Sequence, residues 1–160
     1  MARQWVINAS PIITLAKIDR IHLLPQLCDE MVIPQGVADE IQQGNYDDVA
    51  LSWIRAEGQA FLKETEIARL VAAWDLGRGE SHVLSWAIRH STYEAILDDR
   101  AARKAAKSLQ VNIRGTLSII LLAKQTGYIT SATTEISKLV ESGFRLSTEV
   151  LAKVLELAEE

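Results

Sequence analysis

Two adjacent carboxylates, Asp98 and Asp99, stand directly before a run of positive charge in this 160-residue sequence. Aspartate is a poor strand former, and the pair follows the apolar residues 95–97, so we expect both acids at the end of a strand. One interpretation is that they cap the following helix, whose basic residues are then an ordinary solvated face. The other is that the acids hold a cation and the bases hold a polyanion. Two acids in succession exceed what capping needs, which keeps the second interpretation open.

The basic residues after this pair share one face of a helix predicted over 100–109. At the angular spacing of a helix they fall in a band about 100° wide, with small apolar residues opposite, so all of them face outward. They are Arg100, Arg103, Lys104 and Lys107. We call these four residues the basic stripe. Taken alone, such a stripe is interpreted as a solvated face, but the position of this one beside a carboxylate pair favours binding to a phosphate backbone.

Two glutamates are further candidates. Glu80 opens a helix predicted over 80–89 and projects from the middle of its apolar face, although an acid in the first turn also complements the helix dipole. Glu40, on a helix predicted over 35–43, lies about 60° from Val37 at the margin of the apolar face, whereas Asp39 points into water. Taken alone, Glu40 is also consistent with a boundary residue that packs only its methylene groups.

Convergence of these four acids would favour a divalent cation, because mutual repulsion destabilises a metal-free cluster. Oxygen ligands favour Mg²⁺ or Mn²⁺ over zinc. The single cysteine, Cys28, excludes an internal disulfide and a cysteine-based zinc site, and the three histidines show no paired metal-ligand spacing.

Short apolar runs alternate with helical patterns, which predicts an α/β fold with a parallel sheet. Strands are predicted at 5–7, 31–33, 95–97 and 111–113, with a possible short one at 59–63. Helices are predicted at 10–17, 20–27, 35–43, 50–56, 66–74, 80–89, 100–109 and 116–125, with two more around Gly143. Ser10 and Thr116 are expected to cap the helices that they open. Ligands of such sheets bind beyond the carboxyl ends of the strands, where Asn8, the aspartate pair and Thr116 are expected.

Composition indicates one soluble globular domain, with 48% hydrophobic and 24% charged residues. No apolar stretch is long enough to span a bilayer or to form the core of a signal peptide, so a cytoplasmic location is expected. The net charge of −4 argues against unspecific binding of nucleic acid, but the charge is unevenly distributed. Residues 29–75 hold ten acids and three bases, whereas residues 100–134 hold six bases and no acid.

An ordered set of motifs resembles the PIN-domain superfamily, in particular a branch of small prokaryotic proteins. The motifs are V-I-N-A-S-P at 6–11, V-I-P-Q-G-V-A-D-E-I at 32–41, G-R-G-E at 77–80, L-D-D-R-A-A-R at 97–103, R-G-T at 114–116 and G-F-R-L-S at 143–147. The resemblance implies a three-layer α/β/α fold with a central parallel sheet. It covers 1–160 as one domain, with 146–160 as a C-terminal helix that packs on the domain or on a partner.

The resemblance also implies a Mg²⁺- or Mn²⁺-dependent endoribonuclease, in many members the toxin of a toxin–antitoxin pair. The acidic quartet of the family maps to Asn8, Glu40, Glu80 and Asp99, with Asp98 as an adjacent acid, and these five are the predicted catalytic and metal-binding residues. Ser10 takes the family's small hydroxyl position. The superfamily has aspartate where this chain has Asn8, and an amide offers one oxygen and no charge.

In this interpretation the acids hold one or two cations that polarise the scissile phosphate, while Ser10 and Thr116 orient water or phosphate oxygens. Arg100, Arg103, Lys104 and Lys107 then track the RNA backbone. The expected partners are RNA, a small antitoxin protein and a second copy of the chain, with no membrane. One alternative is a non-catalytic nucleic-acid-binding or regulatory module, in which Asn8 marks loss of the metal site. Another is an aspartyl phosphoryl acceptor, with Asp98 or Asp99 as the modified residue.

Overall fold

Five parallel strands form the central sheet in the computed structural model, which describes residues 2–44 and 48–160. The strands are β1 (Gln4–Ile7), β2 (Glu30–Pro34), β3 (Leu62–Lys63), β4 (Glu94–Ile96) and β5 (Ile113–Arg114). Their order is β3-β2-β1-β4-β5, and every neighbouring pair is parallel. Trp5, Val6 and Ile7 of β1 are fully buried, as expected for a central strand covered on both faces.

Helices cover both faces of this sheet. They are α1 (Ala9–Lys17), α2 (Leu23–Leu27), α3 (Gln35–Gln43), α4 (Asp48–Arg55), α5 (Arg69–Ala72), α6 (Arg78–Arg89), α7 (Arg100–Ser108), α8 (Thr116–Gln125), α9 (Ala132–Glu141) and α10 (Thr148–Leu157). Helix α6 packs on β1, β2 and β4, helix α7 packs beside β5, and α1 and α2 contact α8. The predicted three-layer α/β/α fold is therefore confirmed. None of the helices in the described ranges combines the length and the apolarity that a bilayer span requires.

The strand order creates a crevice at the carboxyl end of β1. The chain passes from β1 to β2 and β3 on one side and then returns to β4 on the other, so the segments after β1 and β4 diverge. Val6 pairs with Val32 on one side and with Ala95 on the other, and the backbone N–H of Asn8 donates to the Ile96 carbonyl at 2.9 Å. This register holds the residues after β1 and β4 at one level of the rim.

Two predicted elements between β2 and α6 are shorter than expected. The possible short strand at 59–63 exists only as the two-residue β3, because residues 57–61 form a 3-10 helix. The helix predicted at 66–74 is only the four-residue α5, because tertiary contacts hold the preceding segment extended. The N–H of Ala68, whose backbone is extended, donates to the buried Ser85 hydroxyl at 2.9 Å.

The ends of several helices also differ from prediction. Helix α1 begins at Ala9 with Asn8 as its N-cap, so Ser10 is not the capping residue. Thr116 is likewise the first residue of α8, after the N-cap Gly115. Gly79, expected in a break between helices, lies inside α6. Helix α2 is shorter than predicted, and the last strand forms only at Ile113–Arg114. Such shifts of one or a few residues arise because the exact ends of helices and strands depend on contacts that local propensity does not encode.

The C-terminal segment packs back on the domain. Helix α10 contacts α8, and Leu151, Val154 and Leu155 pack half-buried against the core. The Glu160 carboxylate accepts the backbone N–H of Ala132 at 2.7 Å, and Lys124 pairs with it at 2.8 Å. The last residue of the chain therefore stabilises the start of α9 by capping it.

Candidate functional site

A cleft of about 350 Å³ opens beside the carboxyl end of β1. Four residues predicted for the site line it, and they come from three distant segments of the sequence: Asn8, Ser10, Glu40 and Glu80. Ile13, Thr14 and Lys17 of α1 form the rest of its polar and apolar wall, together with Ala9. The structure thus brings together the segments that carry Asn8 and Ser10, Glu40, and Glu80.

Asn8 presents a buried acceptor to this cleft. The residue is 2% exposed, and its Oδ1 atom has no hydrogen-bond donor among the described residues. Its backbone is fixed by the hydrogen bond to Ile96 and by its position as N-cap of α1, which holds the residue at the cleft. A buried acceptor without a partner costs about 1–3 kcal/mol, which a bound cation or donor would recover.

The glycines of the G-R-G-E motif make room for the two glutamates. A Cβ atom at Gly79 would lie 2.6 Å from Oε2 of Glu40 and 3.4 Å from Oδ1 of Asn8, so both oxygens face the space that a side chain would fill. A Cβ atom at Gly77 would lie 2.6 Å from Oε2 of Glu80. Helices α3 and α6 pack against each other. Because Gly79 has no side chain, the Glu40 carboxylate can enter the cleft.

The carboxylates of the cleft lack compensating charge. Burial raises the pKa of Glu40, and the negative charge of Glu80 raises it further. Glu40 is exposed as a whole residue, so this effect belongs to the carboxyl end, which lies against Gly79. Neither glutamate forms an ion pair with any residue in the described ranges, although Lys17 lines the same cleft. A site with two uncompensated carboxylates and an unpaired amide oxygen suits a cation.

Asp98 and Asp99 have other partners in this structure and do not line the cleft. The two oxygens of Asp98 accept the N–H of Thr116 at 2.9 Å and its hydroxyl at 2.6 Å. Asp99 caps α7 by accepting the N–H of Ala102 at 2.9 Å. Across the described residues, no group of three or more His, Cys, Asp or Glu side chains is arranged to hold a metal ion. A contribution of the aspartate pair and of Thr116 to the site stays a prediction.

The basic stripe on α7 is divided. Arg100, Lys104 and Lys107 are exposed as predicted, but Arg103 is half-buried, so its predicted exposure is wrong. Its guanidinium donates to the Leu97 carbonyl at 3.2 Å and lies against Gly115. Arg103 is half-buried because it lies in the first turn of α7, where its side chain reaches the end of β4. Arg103 thus stabilises the rim, and its three neighbours remain the solvent-facing cations of the stripe.

Sequence reasoning missed Thr14 and Lys17. Both line the cleft with Ser10, because positions 10, 14 and 17 share one face of α1. The signal was present in the sequence: these are the polar positions of a helix that is otherwise apolar, ASPIITLAK. Polar residues aligned on one face of an otherwise apolar helix indicate the side that contacts solvent or a ligand.

A larger cavity of about 600 Å³ is also lined by residues of α3 and α6, but Glu40 and Glu80 are not among them. Arg78, His82 and Trp86 are among its lining residues, and no residue predicted for the site is. Arg78 pairs with Asp39 at 3.0 Å at the surface, so Asp39, predicted to point into water, is half-buried by an exposed partner. Hydrogen bonds from Gln35 and then Arg78 lower the pKa of Asp39 despite partial burial. The volume of this cavity alone does not make it the candidate site.

A family model described as a PIN domain matches residues 4–160, which is nearly the whole chain. The comparisons with curated proteins and with solved structures gave no match.

Proposed function

The chain belongs to the PIN-domain family, whose members are generally nucleases, and from that premise we propose that it is a metal-dependent endoribonuclease with its centre in the cleft beside β1. The observation that carries the proposal is the buried Oδ1 atom of Asn8, which has no partner among the described residues and faces the same space as the Glu40 carboxylate. A nuclease centre needs such a place for a cation next to the phosphate.

The donor set supports a hard divalent cation. Asn8, Glu40 and Glu80 would hold it through oxygen atoms only, which favours Mg²⁺ or Mn²⁺. When bound, the ion supplies a Lewis acid for the phosphoryl group. Asp99 is a further proposed ligand, since capping occupies only one of its oxygens in the described structure, and Asp98 is proposed to position Thr116 beside it.

The remaining wall of the cleft supports binding of a phosphate. Lys17 and Ser10 of α1 bring a positive charge and a hydroxyl group to the cleft that Glu40 and Glu80 also line. A phosphodiester in this cleft would meet both the donors of α1 and the cation, which orients it for attack by water. The cationic stripe on α7 lies outside this cleft, so its proposed contact with RNA is to a more distant part of the strand.

A second candidate function is a nucleic-acid-binding module without catalysis. It is favoured by the amide at position 8 and by the hydrogen bonds that engage Asp98 and Asp99. The phosphoryl-acceptor alternative has less support, because both oxygens of Asp98 accept hydrogen bonds from Thr116 and one oxygen of Asp99 caps α7. Cleavage distinguishes the two main candidates.

The test is cleavage of single-stranded and structured RNA in Mn²⁺, Mg²⁺ or chelator, together with calorimetric measurement of Mn²⁺ binding. We expect cleavage that stops with chelator, and a loss of about tenfold or more in Mn²⁺ affinity for Glu80→Gln, because a carboxylate ligand becomes an amide. Glu156→Gln on the exposed face of α10 is the matched control and should behave as wild type. Metal-dependent RNA binding without cleavage would support the binding module. An unchanged Mn²⁺ affinity in Glu80→Gln would refute the proposed centre.

Gly79→Ala tests the same centre without changing charge. The added methyl group would stand 2.6 Å from Oε2 of Glu40 and must displace that carboxylate. Since alanine favours helix by about 1 kcal/mol over glycine, the variant should remain folded. We expect weaker Mn²⁺ binding at a melting temperature close to that of wild type. Unaltered binding would show that Glu40 is not a ligand.

The toxin role, the antitoxin and the homodimer are finer parts of the proposal. A small protein encoded beside this gene that binds the chain and blocks cleavage would support the toxin role. Sedimentation equilibrium measures the oligomeric state, and a monomer at all concentrations would refute the homodimer.

A further inference from the structure

A second groove, of about 300 Å³, adjoins the acidic cleft. The two share three residues of α1: Ser10, Thr14 and Lys17. The far wall of the groove is the turn at 142–145, which includes the start of the G-F-R-L-S motif. The proposed metal centre gives this motif no role.

The turn has a defined shape that directs Arg145 toward the groove. Helix α9 ends at Glu141, and Gly143 has a φ of 105°, a conformation that glycine adopts without strain. The N–H of Phe144 then donates to the Leu139 carbonyl at 2.9 Å, and the Phe144 ring packs half-buried against the core. Arg145 follows on the exposed side and lines the groove.

The groove is lined by cations and hydroxyl groups. Lys17 and Arg145 are both exposed, and neither side chain forms an ion pair or a hydrogen bond within the described ranges. Ser10 and Thr14 add hydroxyl groups, and no acid is among the lining residues. Asp19 and Glu141 lie beyond Lys17, in an adjoining depression that Lys138 also lines. Unpaired cations that face hydroxyl groups suit a phosphate oxygen.

We propose that this groove binds the phosphate next to the one in the acidic cleft, with Lys17 and Arg145 as its charged contacts. The ligand is a single strand of RNA, and this choice of strand rests on the proposed function. The two depressions adjoin along Ser10, Thr14 and Lys17 of α1, so consecutive phosphates of one strand can occupy them. Contacts to the backbone alone make this binding independent of sequence.

The experiment measures binding of a fluorescent single-stranded RNA by anisotropy in chelator, across a series of salt concentrations. Lys17→Gln with Arg145→Gln should weaken binding about tenfold or more and reduce the slope of log K against log salt by roughly 1.4, about 0.7 for each phosphate contact. Arg145→Gln alone tests the groove, because Arg145 does not line the acidic cleft, and it should give about half of the change in slope.

Arg55→Gln with Lys63→Gln is the matched control. It removes the same charge from exposed positions that line neither depression, and it should leave affinity nearly unchanged. Equal effects of the control and the groove variants would overturn the proposal, as would a wild-type protein that binds no RNA in chelator. Groove variants that bind RNA normally but lose binding to an acidic peptide would overturn it in favour of a protein partner. Groove-dependent binding without cleavage in Mn²⁺ supports this inference while refuting the enzyme.

Discussion

Replacing Asn8 by aspartate tests the metal centre most directly, because it adds one negative charge with little change in shape. Asn8 is 2% exposed, and its Oδ1 atom and Oε2 of Glu40 both lie within 3.4 Å of one point beside Gly79. The oxygens are therefore roughly 6 Å apart or less, where like charges repel by about 0.7 kcal/mol at the dielectric constant of water and about 3 kcal/mol at an effective value of about 20.

Without metal, Asn8→Asp should lower the free energy of unfolding by about 1–3 kcal/mol, since the new charge joins Glu40 and Glu80, neither of which is ion-paired in the described ranges. Each kcal/mol should lower the melting temperature by roughly 2–4 °C for a chain of this size. With Mn²⁺ the sign should reverse, because a carboxylate is a better ligand for a hard cation than an amide. A tenfold gain in Mn²⁺ affinity corresponds to about 1.4 kcal/mol.

Thermal-shift titration with Mn²⁺ and with chelator measures both the loss of stability without metal and the gain with Mn²⁺. Cleavage at limiting Mn²⁺ should rise in parallel. Asn112→Asp is the matched control, because Asn112 is exposed and lies outside the cleft. It should show no metal-dependent reversal. A gain in affinity without cleavage in either form would favour the binding module. If neither the metal-free stability nor the Mn²⁺ affinity responds, Asn8 does not belong to the metal centre and the reasoning fails.

Three further predictions concern the supports of the site. Asp99→Ala should lower the free energy of unfolding by about 1 kcal/mol in urea through loss of the α7 cap, whereas Asp99→Asn should not; equal values would contradict the capping role. Thr116→Val removes the 2.6 Å hydrogen bond to Asp98 and should cost about 1–2 kcal/mol in the same assay, and Thr116→Ser is the control. Arg20→Met should cost about 2 kcal/mol at neutral pH, because buried Glu135 loses its 2.8 Å partner. Burial raises the pKa of Glu135, but Arg20 and then Lys138 together outweigh burial and lower it. The stability from the Arg20 pair is therefore present above about pH 4.5 and is lost as pH falls through the lowered pKa. A pH series of denaturation curves should show a smaller loss of stability in Arg20→Met.

Much of the fold was predictable because its signals are local. Apolar runs such as Trp5 to Ile7 predict buried strands, and their alternation with helical patterns predicts a parallel sheet. The position of Asn8 at the rim then follows from a general property of such sheets, without knowledge of its neighbours. The errors fell where a distant contact decides the structure, as at Ala68, whose N–H bonds to Ser85 and delays the start of α5.

The sequence by itself determined the residue types of the site, the strand ends that carry them and the motifs that place the chain in its family. Only the tertiary structure decided which of those residues meet. Glu40 reaches Asn8 because α3 packs on α6 at Gly79, and a contact between residues so far apart in the chain leaves no trace in local periodicity. The position of α7 beside the end of β4 likewise decided that Arg103 turns inward to the Leu97 carbonyl, since a polar side chain takes whichever partner the neighbouring elements bring within hydrogen-bond distance. The cap by Asp99, in contrast, joins residues three apart and was among the interpretations that the sequence offered.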